Sequence, residues 1–438
     1  MYRTLSAPLV AQVEITESCP NRCLHCYNYW RHEGTSTAQP VSLEPDQIDR
    51  IMDELEKIYV FGIVITGGEP LLNKKGLFRI LDRVESTGFM SATINSSLLG
   101  LTRSDAQRLA TYRCLNNILT SVMGPSCDIH DRISGHPGSF AKTLEGIGLL
   151  REVDIRTSAN MVISQANKGY VRETAALCKS LGISVFNATR ATAPLNCPDF
   201  QPYSLNVDEL RECLATLTEA GREEKISTGT LTVYPLCGVR DIRKAPMTAR
   251  KRCSAGVTVI GISANGDMHA CTHLQESSGN ILNESLVAVW KKMSPWRDGS
   301  YLPARCKTCK ALAICGGGCR ADAQSTCGSL CAEDPLMREE DVDAAICEHQ
   351  LFMHETTAKT DIPCTVTMNP RLRHREEEFG SVFFLDGGCV GIFNQDTTDL
   401  LLSMPTGKTY QREEILSMAP MNFIQELCEK KILVKPVL

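Results

Sequence analysis

Short apolar runs and longer stretches with an apolar residue every three or four positions take turns along the first half of the chain. Val13-Glu14-Ile15-Thr16 reads as a strand. Ile48, Ile51, Met52, Leu55 and Ile58 fall on one helical face, with Pro45 placed for a first turn. Gly62-Ile63-Val64-Ile65-Thr66 is a short buried-strand pattern that runs into a glycine pair. The alternation continues with a helix over 76–86 and a strand over 91–95. A strand over 116–123 pairs with a helix over 140–150, and a strand over 156–163 with a helix over 171–181. A sixth strand over 183–187 closes the series. Six βα-type repeats predict an α/β fold, a parallel sheet curled into a partial (β/α)6 barrel. Asn206 can then cap a helix, with Glu209 reaching back and Leu205 against Leu210 as a staple; this helix leads out of the barrel.

The pattern changes twice more. From about residue 230 periodicity weakens and cysteines gather, as in a loop-rich segment held by metal because it buries little apolar surface. From about 361 a strand over 371–384, an Asp386-Gly387-Gly388 turn and a strand over 390–393 give a hairpin signal. Helices around 397–403 and 422–431 follow. The expected domains are therefore 1–229, 230–360 and 361–438. No internal repeat or low-complexity linker stands out.

Composition narrows the class. At 438 residues two or three domains are expected. Apolar content of 43% and charged content of 22% are those of a soluble globular protein. A net charge of −5 and a pI near 6.0 give no reason to expect a nucleic-acid partner or an anionic membrane. The start lacks a signal-peptide pattern and no apolar run reaches membrane-span length, so the expected location is the cytoplasm. In that reducing compartment 21 cysteines read as metal ligands where clustered. Cys114, Cys178, Cys213, Cys364 and Cys428 stand singly in apolar segments and read as small buried hydrophobes.

The clustered cysteines carry the chemistry. Cys19-Pro20-Asn21-Arg22-Cys23-Leu24-His25-Cys26-Tyr27 offers three soft thiolates. An iron–sulfur cube needs four ligands, so one iron is left for something that is not protein; taken alone, the spacing also suits zinc. Thr66-Gly67-Gly68-Glu69-Pro70 follows about forty residues later. The glycines remove side chains so that backbone groups can approach a small zwitterion. The cysteine loop and this Gly-Gly-Glu-Pro resemble the radical S-adenosylmethionine (SAM) enzymes. That resemblance implies an open (β/α)6 barrel with the cluster at its strand C-terminal ends. It implies SAM chelated to the open iron and cleaved to a 5′-deoxyadenosyl radical. It also places Gly67, Gly68 and Glu69 at the SAM amino group, with Tyr27 beside the cluster.

Further parallels are residue by residue. Asn95-Ser96-Ser97 resembles the family's Asn-Gly turn, with serine for glycine. Ser121-Val122-Met123-Gly124 resembles its Ser-x-Asp-Gly, which places Ser121 at the SAM ribose; Met123 stands where aspartate is usual. Asn160 and Arg132 are further candidates for which a structural role weighs equally.

Cys306, Cys309, Cys315 and Cys319 surround Gly316-Gly317-Gly318, with Cys253 and Cys271 upstream. Six cysteines so placed suit two zinc ions, but after such a barrel they resemble the SPASM domain, which carries up to two auxiliary [4Fe–4S] clusters. By that pattern Cys253, Cys271 and Cys319 bind the first, and Cys306, Cys309 and Cys315 the second. The family's last cysteine follows an Asp-Pro pair, where Asp334-Pro335-Leu336-Met337 puts methionine. Cys331 is the favoured substitute over Cys327 and Cys347, and Cys237 is a candidate to complete the first cluster, a choice the sequence leaves open. Without it that cluster has an open iron. His269 and His273 flank Cys271 and read as exposed or packed rather than ligating.

The last seventy residues resemble the PqqD-like peptide-recognition element, a small winged-helix-like α+β domain whose free sheet edge takes a leader peptide as an added strand. Arg371, Arg373 and Arg375 mark its first strand, or a solvated strand face; a lid that only packs on the barrel is the structural alternative. The resemblance implies a radical SAM/SPASM peptide maturase acting on a leader-bearing precursor peptide, with a flavodoxin or ferredoxin as reductant. Oxidative cross-linking is expected, with a thioether ahead of a carbon–carbon or carbon–oxygen bond. Sulfatase-maturase-like oxidation of a protein Ser or Cys, modification of a small molecule, and a non-catalytic scaffold are the alternatives.

Overall fold

The computed structural model describes residues 4–28, 39–194, 198–249, 251–355, 361–385 and 388–436. Its first part runs β1 (Val10–Glu14), α1 (Pro45–Lys57), β2 (Gly62–Thr66), α2 (Lys74–Thr87), β3 (Ser91–Asn95), α3 (Arg103–Leu109) and β4 (Leu115–Ser121). Then come α4 (Cys127–Ser134), α5 (Ser139–Glu152), β5 (Thr157–Ile163), α6 (Val171–Ser180), β6 (Val185–Arg190) and α7 (Val207–Glu223). The six strands pair in parallel and in chain order. Periodicity located α1 because Ile48, Ile51, Met52 and Leu55 are all buried, each such side chain contributing ~1.5–3 kcal/mol. Ile58 is the C-cap of that helix rather than its last turn. Asn73 caps α2 by accepting from the Gly76 N–H, so the helix begins ahead of residue 76. Asn206 caps α7 as expected, accepting from the Asp208 and Glu209 N–H groups.

The sheet is larger than six strands. β7 (Ser227–Gly229) adds to β6, and β8 (Val259–Ile262) adds to the other side of β1, again in parallel. β9 (Asp267–His269) and β10 (Gly279–Asn280) continue from β8 as antiparallel strands. Val10 therefore pairs with Gly62 on one side and Val259 on the other. The cysteine-rich region completes the barrel sheet, because the edge of β1 would otherwise expose unpaired backbone groups. Its Ile281, Leu286, Val289 and Trp290 share the barrel's core, and the Trp290 indole N–H donates to the Leu5 carbonyl (2.9 Å).

The C-terminal part holds two three-stranded sheets. One pairs β11 (Thr365–Met368) with β15 (Thr409–Gln411) and β16 (Leu433–Val434); the other is β12 (Arg373–Glu377), β13 (Gly380–Leu385) and β14 (Gly388–Asn394). The run 371–384 is thus two strands, folded back at Glu378-Phe379, and Asp386 and Gly387 of the expected turn lie outside the described residues. Helices Gln395–Leu402, Arg412–Met418 and Met421–Glu429 cover a separate apolar core.

Arg371 and Arg373 are exposed, but Arg375 is buried and does not line a solvated face. Its guanidinium donates to the Ala7 (2.7 Å), Pro8 (3.0 Å) and Tyr59 (3.2 Å) carbonyls and pairs with Glu377 (2.8 Å). Phe384 stacks on Phe61 beside it. These barrel residues immediately precede β1 and β2, at the N-terminal ends of the strands. The C-terminal element therefore packs on the barrel floor, not over its mouth.

Candidate functional site

The opposite, C-terminal strand ends open on a cavity of about 410 Å³. The loop after β1 places Cys19, Cys23 and Cys26 in its wall. Helix α4, which the hydrophobic pattern did not reveal, holds that loop: Arg22 and Leu24 N–H groups donate to the Ser134 (2.8 Å) and Ile133 (3.0 Å) carbonyls at its end. A turn within the loop, from the Cys26 N–H to the Cys23 carbonyl (3.0 Å), folds Cys26 back beside Cys23.

Gly67 is pressed against this loop at φ +125°, where a Cβ would meet the Thr16 carbonyl oxygen at 2.5 Å. No L side chain fits that conformation and that space together. The Gly68 N–H donates to Thr16 (2.6 Å) and the Glu69 N–H to Ser18 (2.8 Å), so the glycine turn is stitched to the cysteine loop by backbone. The Glu69 carboxylate, however, is occupied within the protein. It accepts from Ser96 Oγ (2.6 Å), Leu71 N–H (3.1 Å), Ser97 N–H (2.8 Å) and Ser97 Oγ (2.5 Å). Burial raises its pKa against those hydrogen bonds. Its carboxylate secures the turn after β3, while Glu69 also lines the cavity.

Asn95, Ser121 and Asn160 sit at the ends of β3, β4 and on β5, and all line the cavity. Asn160 Oδ1 accepts from Thr189 Oγ1 (2.8 Å), which orients it. Met123 is buried below the cavity beside Ile129 and Ile133. Arg132 is exposed, donates to the Ala166 carbonyl (3.3 Å) and is not brought to the cavity. Tyr27 stacks on His273 (4.3 Å between ring centroids) and bonds with the Thr66 and Thr272 side chains. Burial holds its phenol protonated and lowers the His273 pKa to about 4. His269 packs against Ser263 (3.1 Å) and the Glu276 carbonyl (3.0 Å), so both histidines are packed as expected.

The auxiliary cysteines fall into two sets. Cys253, Cys271 and Cys319 pack around one apolar cluster with Ala255, Ala270 and Ala321, and all three line the cavity. Burial pushes the Cys271 thiol up to about 12 and raises those of Cys253 and Cys319. Cys309 and Cys315 pack in a different cluster, with Leu236, and with Cys306 stand outside the cavity wall. Cys237 lies with this second set, not with the first as the sequence suggested. Cys331 is exposed with its thiol on the Ser300 carbonyl (3.5 Å), and Cys327 and Cys347 are exposed too; the expected ligand Cys331 is not brought to either set. Cys178 and Cys213 are buried as expected, whereas Cys364 is exposed. Among the described residues no His, Cys, Asp or Glu trio converges on a single metal ion. A four-iron cube spreads its thiolates more widely than one ion does.

Arg190, at the end of β6, escaped the sequence reading. Its guanidinium bonds both oxygens of Asp334 (2.9 and 2.6 Å) and lies 3.2 Å from Asp322, all buried. Burial opposes its charge, but Asp334 and Asp322 carry its pKa well above the usual value. Burial pushes Asp322 up to about 6, against Arg190 and with Asp334 adding to the rise. Asp334 Oδ2 also accepts from the Cys319 N–H (2.8 Å), tying β6 to the first auxiliary set. The approach is close: a Cβ on Gly318 (φ +74°) would lie 2.8 Å from Asp334. The Asp-Pro pair was the available signal, yet its partner stands far away in sequence.

These residues fit the implied cofactors. Two three-thiol sets face one cavity, Gly67 has no room for a side chain, and Asn28 Oδ1, Thr120 Oγ1, Thr192 Oγ1 and Thr232 Oγ1 are buried in its lining residues without protein partners.

Comparison with known proteins agrees. Residues 13–178 match the radical SAM superfamily, and residues 253–310 match SPASM, an iron–sulfur cluster-binding domain. The chain carries a radical SAM domain and a SPASM domain. It is an enzyme of the radical SAM/SPASM type, and its cofactors are SAM and [4Fe–4S] clusters. An AdoMet-dependent heme synthase of Oleidesulfovibrio alaskensis is 22% identical, over 74% of this chain and 85% of its own. A PqqA peptide cyclase of Rhodopseudomonas palustris is 26% identical, over 76% and 87%. Streptococcus suis SuiB bound to its precursor peptide SuiA shares the radical SAM/SPASM fold, with a TM-score of 0.61 at 17% identity over 76% of each chain. Among the described residues no helix is long and apolar enough to cross a membrane.

Proposed function

We propose that this radical SAM/SPASM enzyme oxidatively modifies a ribosomally made precursor peptide. One observation carries the choice of a peptide over a tetrapyrrole, since relatives of both names occur. Among the described residues the cavity wall has no lysine, and its one arginine, Arg190, is already paired with two aspartates. Propionate side chains would find no free lysine or arginine among those residues. At about 410 Å³ the space lies toward the small end for a single ligand of drug size, so it suits SAM with a side chain beside it.

When bound, SAM and a reduced cluster supply a hydrogen-abstracting radical, and an auxiliary cluster supplies an acceptor for the second electron. The chain's own residues bind and orient. Cys19, Cys23 and Cys26 hold the first cluster, and the Gly67-Gly68 backbone with Asn95, Ser121, Asn160 and Tyr27 holds SAM. Cys253, Cys271 and Cys319 hold an auxiliary cluster whose thiol trio faces the same cavity, leaving space for a substrate sulfur. That favours a thioether, with a carbon–carbon or carbon–oxygen bond second. β14 is an edge strand of its sheet, suited to pairing with an extended leader in a PqqD-like manner. A flavodoxin or ferredoxin is the proposed reductant.

The test is the intact mass of a precursor peptide encoded beside this protein, after anaerobic co-expression. The expected result is loss of two hydrogens, absent when Cys19, Cys23 and Cys26 are all alanine. Unchanged peptide together with conversion of a tetrapyrrole by the same preparation would overturn the proposal.

A further inference from the structure

We propose that Cys237 is the fourth ligand of the second auxiliary cluster, joining Cys306, Cys309 and Cys315 from about seventy residues upstream. The usual pattern draws that ligand from after the cysteine run, where this chain has Met337. Met337 is indeed in place, buried with its sulfur 4.0 Å from Cys306 Sγ. A thioether is neutral, whereas iron–sulfur cubes are held by thiolates. The missing negative sulfur has to come from elsewhere.

The segment around Cys237 supplies it. Leu236–Val239 forms a single helical turn, and the Leu236 N–H donates to Cys315 Sγ (3.4 Å) in a buried setting. Hydrogen bonds of that kind orient and tune cluster ligands. The Cys237 thiol lies within electrostatic range of Cys315 and Cys309, and the Cys306 thiol within range of Cys315, Cys309 and Cys237. Leu236, Cys315 and Cys309 pack in one apolar cluster. Gly238 fixes the approach: a Cβ there would meet the Leu336 carbonyl oxygen at 2.4 Å. The turn bearing Cys237 is therefore packed on the very segment that carries Met337. Cys327, Cys331 and Cys347 are all exposed, and the first two have their thiols on the Glu333 and Ser300 carbonyls.

The assignment separates the two auxiliary sites. The second has four thiolates away from the cavity, as an electron relay would. Among the described residues the first has three, on the cavity wall.

The test uses the full-length reconstituted holoenzyme, with iron and sulfide counted per chain and EPR spectra recorded. Three cubes give about twelve irons per chain. Cys237→Ala is expected to lower this by about one with a three-iron signal, or by about four with loss of the cube. Adding Met337→Cys to Cys237→Ala is expected to restore the count and the four-iron spectrum. A role for Cys237 in packing alone would not be repaired by a thiol at position 337. Unchanged iron and spectra in Cys237→Ala, loss of the cube in Cys331→Ala or Cys347→Ala instead, or a folded double variant that stays short of iron would each overturn the proposal.

Discussion

Ser96 stands where the resemblance to an Asn-Gly turn would put glycine, and its surroundings give its hydroxyl two partners. Its hydroxyl donates to the buried Glu69 carboxylate (2.6 Å) and accepts from the Leu98 N–H (2.9 Å). Hydrogen bonds to a buried charge are worth more than neutral ones, so Ser96→Gly should destabilise the protein by roughly 2–3 kcal/mol. Urea denaturation under anaerobic conditions measures this; an unchanged midpoint would mean that Ser97 alone satisfies Glu69. At this scale the sequence was legible where chemistry demands a residue type at a fixed local spacing. Cys19, Cys23, Cys26 and Gly67 were found for that reason. Arg190 was not, because its meaning lies in Asp334 and Asp322, which no local pattern links to it. Glu69 was found from its motif, but its hydrogen bonds to Ser96 and Ser97 were not, since they join two separate turns.

The elements whose side chains alternate clearly, α1, α2 and β2 to β6, were found within a few residues. β7 to β10 were not, because two to four residues carry no periodicity and each depends on a neighbour for its backbone partners. α3 and α4 are short helices that begin in polar turns. The run 371–384 looked continuous because its turn, Glu378-Phe379, has neither glycine nor proline; the conformational freedom comes next, at Gly380 (φ +139°). That hairpin delivers Arg375 to the barrel floor. Arg375→Ala would strand the carboxylate of Glu377 in a buried site, a loss of about 3–5 kcal/mol. A thermal melt should show it, with the C-terminal element becoming protease-sensitive before the barrel. Simultaneous loss of both would mean that the element and barrel unfold as one unit.

Across the whole molecule, the barrel and the cysteine-rich region share one sheet and one core, because β8 pairs with β1, while the C-terminal region keeps its own sheets and core and joins the barrel through Phe384 on Phe61. Metal in the cysteine-rich region should therefore steady the barrel. Iron-free protein is expected to exchange amide hydrogens faster in residues 253–280 and, through the β1–β8 pairing, in residues 10–14. Hydrogen exchange of iron-free and reconstituted samples compares them; faster exchange confined to 253–319 would show that the shared sheet does not transmit the loss. The same pairing sets an order of assembly. β1 leaves the ribosome well ahead of the strand that covers its outer side, which ends at Ile262. At about 5–20 residues per second, roughly 250 residues take some tens of seconds to synthesise. For all that time the first strand has an uncovered flank, and the loop that carries Cys19, Cys23 and Cys26 hangs from an unfinished wall. Iron delivered to the nascent chain before β8 is made thus meets a half-built receptacle.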